Sequence, residues 1–108
     1  DALPILPPAC PACGEPVRPD VVLFGEMLPE AALSRYYREL DAGFDAVLSI
    51  GTTSVFPYIA GPVVADAQAG IPSIEINPGE TSVSRIVDVR IRAGAAAALT
   101  ALAERLGL

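Results

Sequence analysis

A chain of 108 residues with 52% apolar residues and a net charge of −6 has the size of one domain, which buries roughly 60–70% of its unfolded surface. All seven basic residues are Arg, and so sparse a positive charge argues against nonspecific nucleic-acid binding, which relies on clustered cations. No apolar run approaches the ~20 residues that span a bilayer, and no signal-peptide pattern opens the chain, so a cytoplasmic protein with no membrane segment is expected.

Residues 1–19 carry six prolines and Gly14, which is incompatible with a regular helix or a central strand. Cys10 and Cys13 sit within this stretch, flanked or separated by Pro7, Pro8, Pro11 and Pro16. In a reducing compartment a C-x-x-C pair is more often metal-binding or redox-active than a structural disulfide. A redox pair belongs at a helix start, which the prolines do not offer. Two inert buried thiols are a second reading. Half of a four-thiolate zinc site, with Zn–S at ~2.3 Å, is the best one. The chain has no further cysteine and no histidine, so the remaining ligands are expected outside it.

Beyond the prolines the pattern becomes regular. Val21–Phe24 is a short apolar run of strand type. Residues 30–42 read as a helix with Leu33, Tyr36, Tyr37 and Leu40 on one face and Gly43 as its stop. Ala46–Ile50 is a second buried strand, and "GTTSVFP" (51–57) is a turn. A second helix runs from Pro57 to Ala69, with Ile59, Val63 and Ala67 on its face, Gly61-Pro62 in its first turns and Gly70 closing it. Ser73–Ile76 is a third strand, cut off by Asn77-Pro78-Gly79. Residues 86–91 form a fourth, with Asp88 and Arg90 on one face, which marks an edge. The last helix spans Ala95–Leu106 and presents Ala95, Leu99, Leu102 and Leu106.

Strands alternating with helices imply βαβ units and an α/β fold with a parallel, Rossmann-like sheet, its first two strands largely apolar on both faces. Ligands of such sheets bind beyond the carboxyl ends of the strands. Three segments are expected there: Gly25-Glu26-Met27, Gly51-Thr52-Thr53 and Asn77-Pro78-Gly79. The second leads into a helix N-terminus, where N–H groups and hydroxyls can hold phosphate or ribose oxygens. Any one of these is also an ordinary turn. Three on one edge make a candidate site.

"CPACGEPVRPDVVLFGEMLPE" (10–30), "IGTTSVFP" (50–57) and "IEINPGET" (74–81) together resemble the sirtuins, the NAD-dependent protein deacylases, over essentially the whole chain. The resemblance implies part of a small zinc-binding module in residues 1–19, and the C-terminal half of a Rossmann-like NAD-binding domain in residues 20–108. It makes Cys10 and Cys13 two of four ligands to one structural zinc. Val22, Phe24, Gly25, Glu26 and Met27 would line the channel for an acyl-lysine peptide, which pairs there as an added strand. Gly51, Thr52 and Thr53 would hold the ribose and phosphate part of NAD, Asn77 with Pro78 and Gly79 the adenosine ribose, and Ala95 would lie near the adenine. Thr53 replaces the usual Ser and keeps its hydroxyl, while Pro57 comes one position earlier than in many members.

The family's glycine-rich phosphate loop, catalytic histidine and first cysteine pair have no counterpart among these residues, so they are expected upstream, in a missing N-terminal half. In the whole enzyme the acyl oxygen would attack the nicotinamide ribose, releasing nicotinamide and then an O-acyl-ADP-ribose. Two alternatives are a non-enzymatic NAD(P)-binding module and a zinc-organised interaction domain. The first leaves the cysteines and Phe24-Gly25-Glu26 unused, and the second leaves the strand-end loops unused.

Overall fold

The computed structural model describes residues 7–108; the start of the zinc-module segment expected over 1–19 lies outside the described residues. The chain falls into two compact units, Asp1–Tyr36 and Tyr37–Leu108.

In the first unit, Ala9 and Pro16 form an antiparallel bridge around the cysteines. The Cys10 N–H donates to Glu15 O at 2.7 Å, the Gly14 N–H to Cys10 O at 2.8 Å, and the Val17 N–H to Pro8 O at 2.8 Å. The strand expected over Val21–Phe24 does not form. Val21 bonds back to Pro19 O at 2.8 Å, and a β-turn follows in which the Glu26 N–H donates to Leu23 O at 3.0 Å. Gly25 is the third residue of that turn with φ 85°, a value glycine adopts without the Cβ clash. The run has strand propensity, but propensity expresses itself only against a neighbour, and no described segment pairs with it. Val21, Val22 and Leu23 are therefore exposed.

Helix α1 (Glu30–Ala42) matches the expected span and opens with Glu30, whose charge suits the positive end of the helix dipole. Leu33, Tyr36 and Leu40 are half-buried and Tyr37 is exposed. The Gly43 N–H caps it on Leu40 O at 3.1 Å.

The second unit is built on a three-stranded parallel sheet in the order β1 (Val47–Ile50), β2 (Ser73–Ile76), β3 (Val89–Ile91). Helix α2 (Pro57–Gln68) makes the first crossover and packs on β1 and β2. Pro57 starts it at a position where the missing N–H costs nothing. Pro62 lies inside it, and the helix runs through despite the absent donor to Tyr58. It ends in a Schellman cap, with the Ile71 N–H on Asp66 O at 2.9 Å and the Gly70 N–H on Ala67 O at 3.2 Å. The second crossover has no helix: residues 77–88 are turns and bends, and β3 begins at Val89 rather than at residue 86. Helix α3 (Ala95–Leu106) matches its expected span.

Register assigns the two sheet faces. Leu48, Ile74 and Val89 are aligned on one, with Ile50, Ile76 and Ile91 one step along; Ser49, Glu75 and Arg90 are aligned on the other. On β1 the expected largely apolar character holds except at Ser49, a buried polar residue. On the apolar face Ile76 is wholly buried, whereas Leu48 and Val89, on the outer strands, stay 46% and 49% exposed. In α3 the shielded positions are Ala95, Ala98, Leu102 and Ala103, while Leu99 and Leu106 face solvent. Ala98 takes the buried place expected of Leu99. Among the described residues no helix is long and apolar enough to cross a membrane.

Candidate functional site

Because the three strands are parallel, the segments that follow them leave the sheet at one edge. These are Gly51–Ser54 after β1, Asn77–Gly79 after β2 and the stretch reaching Ala95 after β3. The Gly51 N–H still bonds Ile76 O at 2.9 Å, and the Asn77 N–H bonds Ile91 O at 3.1 Å, so both loops start from the ladder itself.

The first loop turns sharply. Gly51 has φ 65°, and Ser54 has φ 53°, the one positive value outside glycine among the described residues. Such a conformation costs on the order of 1 kcal/mol and persists only where surroundings impose it. Here the buried Ser54 hydroxyl lies 3.1 Å from Ser49 Oγ, and the Ser54 N–H donates to Thr52 Oγ1 at 3.1 Å. The Thr52 hydroxyl thus shapes the turn, while the Thr53 side chain is exposed.

Two hydrogen bonds stitch this loop to the next. Asn77 Nδ2 donates to Thr52 O at 3.1 Å, and the Ser82 N–H donates to Thr53 O at 3.2 Å. Asn77 Oδ1 accepts the Gly79 N–H at 2.9 Å, fixing the Asn-Pro-Gly turn. Each amide group of Asn77 keeps one hydrogen-bonding position for a ligand, since Nδ2 has two protons and Oδ1 two lone pairs. Pro78 and Gly79 are exposed beside it, and Ala95 is half-buried at the start of α3.

Beneath the second loop lies a polar cluster that the strand pattern did not anticipate. Glu75 is 0% exposed. Its carboxylate accepts from the hydroxyls of Thr81 and Ser84, the latter at 2.7 Å, and Arg90 Nε stands 3.3 Å from its Oε2. Arg90 also donates from its terminal nitrogen to Gly79 O at 2.8 Å. The signal was present in the sequence: a carboxylate between two isoleucines of a central strand needs a buried partner. At the opposite end of β2, Asp88 Oδ2 accepts from the Ser73 N–H and hydroxyl at 2.9 and 2.8 Å. The Ser73 hydroxyl and amide hold the Asp88 carboxyl below its ordinary pKa.

The segment Gly25-Glu26-Met27, expected at a strand end, belongs to the first unit and follows no strand. Its shape comes from Arg18, whose guanidinium grips the Glu26 carboxylate at 2.7 and 3.0 Å and reaches Val21 O at 2.7 Å. Glu26 Oε2 also accepts the Leu23 N–H at 2.9 Å. Arg18 first, then the Leu23 amide, lower the Glu26 pKa, and Glu26 in turn raises that of Arg18. The turn so held presents Phe24 and Met27 at 94% and 90% exposure, with Val22 also exposed.

At the cysteines, the Cys10 sulfur receives the N–H groups of Ala12 and Cys13 and lies within hydrogen-bonding reach of the Cys13 thiol, and these contacts lower the Cys10 pKa in that order. A thiol held toward its thiolate form, with a second cysteine three residues on, suits a thiolate pair sharing a cation. Among the described residues no third His, Cys, Asp or Glu joins them.

The model of the Sir2 family matches residues 3–57, a stretch that takes in the cysteine pair, the Arg18–Glu26 turn and the Gly51 loop. The chain is 58% identical over 86 residues to NAD-dependent protein deacylase 2 of Pseudomonas aeruginosa, covering 80% of this chain and 34% of that protein. It belongs to the Sir2 family. The relative of the same name in Corynebacterium efficiens is 46% identical over 96% of the chain and 41% of its own length. Among solved Sir2 structures, a homologue in complex with NAD superposes with a TM-score of 0.76 at 37% identity, over 98% of this chain and 41% of that one. Sir2Tm bound to a propionylated peptide superposes at 0.73 with 25% identity, over 93% and 42%. The chain thus spans between a third and about two-fifths of the length of these Sir2 relatives.

Proposed function

We propose that this chain forms the C-terminal part of an NAD-dependent protein-lysine deacylase. Its two stitched loops, Gly51–Ser54 and Asn77–Gly79, would form the floor under NAD. The observation that carries this is the Asn77–Thr52 hydrogen bond, which joins two strand-end turns into one preorganised surface with donor and acceptor positions left over. In support, the curated relatives are NAD-dependent deacylases, and a structural neighbour was solved with NAD. A plain nucleotide-binding module, or a plain zinc-organised domain, is disfavoured because one family match runs through both the cysteines and the Gly51 loop.

Gly51, Thr52 and Thr53 would hold the phosphate and ribose part of NAD, Asn77 with Pro78 and Gly79 the adenosine ribose, and Ala95 would border the adenine. NAD, when bound, supplies an electrophilic ribose carbon from which nicotinamide leaves. The residues of this chain bind and orient it. Val22 and the turn Phe24–Met27 would form one side of the groove for an acyl-lysine peptide, because exposed apolar side chains on a braced turn suit strand-wise docking. Sir2 structures solved with propionylated and acetylated peptides support that partner class. Cys10 and Cys13 would be two of four thiolate ligands to a structural zinc, which the amides aimed at Cys10 favour. The general base and the other two ligands would come from the N-terminal half, since these 108 residues include no histidine and no other cysteine. Thiols kept for a metal suit the reducing cytoplasm.

The test is nicotinamide release from NAD in the presence of an acetyl-lysine peptide. The full-length protein should release nicotinamide in a peptide-dependent manner, and the 108 residues alone should not. A full-length protein with no peptide-dependent release would overturn the assignment, and turnover by the 108 residues would overturn the division of labour.

A further inference from the structure

The Glu75 cluster raises a question that packing does not answer. Burying a carboxylate, with a guanidinium half-buried beside it, is costly in a small sheet, and apolar residues of similar volume often serve stability as well or better. What an apolar pair lacks is direction. Glu75 takes the hydroxyls of Thr81 and Ser84, and those hydroxyls continue into the backbone: the Thr81 N–H donates to Ser84 Oγ at 2.8 Å and the Val83 N–H to Thr81 Oγ1 at 3.2 Å. Arg90 Nε lies within ion-pair range of Glu75 but off the line of a hydrogen bond, and its directed bond runs instead to Gly79 O at 2.8 Å. The pair therefore fixes the loop at Gly79, Thr81 and Ser84. Asn77 and Ser82 tie the same loop to the Gly51 loop, and the Asn77 N–H ties it to Ile91 O of β3.

We propose that Glu75 and Arg90 are positioning residues for NAD binding. They touch no ligand atom themselves, but lock the 77–84 loop in the one conformation in which Asn77 bridges to Thr52 and keeps its spare hydrogen-bonding positions facing the ligand. Preorganisation of this kind acts on affinity, because a loop already ordered loses little freedom on binding. The Arg fork is essential to it. A lysine keeps the charge beside Glu75, but its three N–H donors radiate from one nitrogen on a flexible stem, so it lacks the rigid plane that sets Arg90 Nε beside Glu75 and a terminal nitrogen on Gly79 O.

The inference rests on the NAD-binding reading above, and two measurements on full-length protein separate them. In Arg90→Lys and Glu75→Gln, hydrogen exchange of unliganded protein should be about tenfold faster at Gly79, Thr81 and Ser82, with β1 and β2 still protected. The KM for NAD should rise about tenfold in both variants while the KM for an acetyl-lysine peptide stays within about twofold. Arg90→Lys, which keeps the buried charge compensated, guards against a Glu75 variant that merely unfolds. Unchanged exchange in Arg90→Lys would overturn the locking role. Faster exchange with both KM values moving together would overturn the NAD-specific role and leave a general structural one. Failure of the unaltered protein to turn over NAD would instead remove the functional assignment, with the exchange result still deciding whether the pair locks the loop.

Discussion

Asn77→Ala tests the floor of the site most directly, because the structure gives this side chain two jobs. Its Nδ2 and Oδ1 make one bond each within the protein, to Thr52 O and from the Gly79 N–H. A typical intramolecular hydrogen bond contributes ~0.5–1.5 kcal/mol, and the bond to Thr52 is only part-buried. Losing both should lower the stability of the full-length protein by about 1–2 kcal/mol. A ribose contact of the same order, lost together with the loop's alignment, should weaken NAD by about tenfold or more, since 1.4 kcal/mol is a factor of ten. Asn77→Asp separates the jobs. It keeps the acceptor for Gly79 but sets a carboxylate against the Thr52 carbonyl, so the turn should survive and the bridge should break. Urea denaturation gives the stability and NAD titration the affinity. If Asn77→Ala weakens NAD but is as stable as the parent protein, the amide is not committed to the loops as described. If it is destabilised yet binds NAD normally, Asn77 is only a turn residue.

Cys10→Ala in the full-length protein should abolish zinc binding and lower the melting temperature together with activity, because a three-ligand remnant cannot close a structural site; a zinc-free variant that stays folded and active would exclude the metal role. Glu26→Ala and Arg18→Ala should both raise the KM for peptide several-fold and leave that for NAD within about twofold, since either change releases the same turn; effects confined to one of the two would show that the pair does not act through loop shape. For Asp88, whose folded pKa is depressed by Ser73, the stabilisation is fully present above the ordinary carboxylate value of 3.8 and is lost as pH falls through the lower folded value. The stability difference between the parent protein and Asp88→Asn should therefore be constant from neutrality down to that range and shrink below it, whereas a difference that grows on acidification would contradict the sign of the shift.

Much of this protein is legible in its sequence where local rules decide. Helix α1 stops at Gly43, α2 starts on Pro57 and closes at Gly70, and α3 occupies its expected span, because prolines, glycines and helical periodicity act within a few residues. Strands β1 and β2 followed from apolar runs bounded by turns, and the strand-end position of the Gly51 and Asn77 loops followed from their order. The cysteine spacing, with the three quoted stretches, was enough to indicate the family. Tertiary structure decided what depends on residues distant in sequence. Val21–Phe24 has strand composition but no described strand pairs with it, and the turn that forms instead is set by an ion pair across eight residues. Whether Ala98 or Leu99 is the buried residue of α3 is a difference of one position, which periodicity alone does not resolve. Glu75 reads as an interruption in a strand until Arg90, Thr81 and Ser84 are brought against it. Asn77 reads as a turn residue until its amide is seen to reach Thr52, twenty-five residues away. Hydrogen bonds and burial are settled by proximity in space, and a linear pattern records only the groups that will need them.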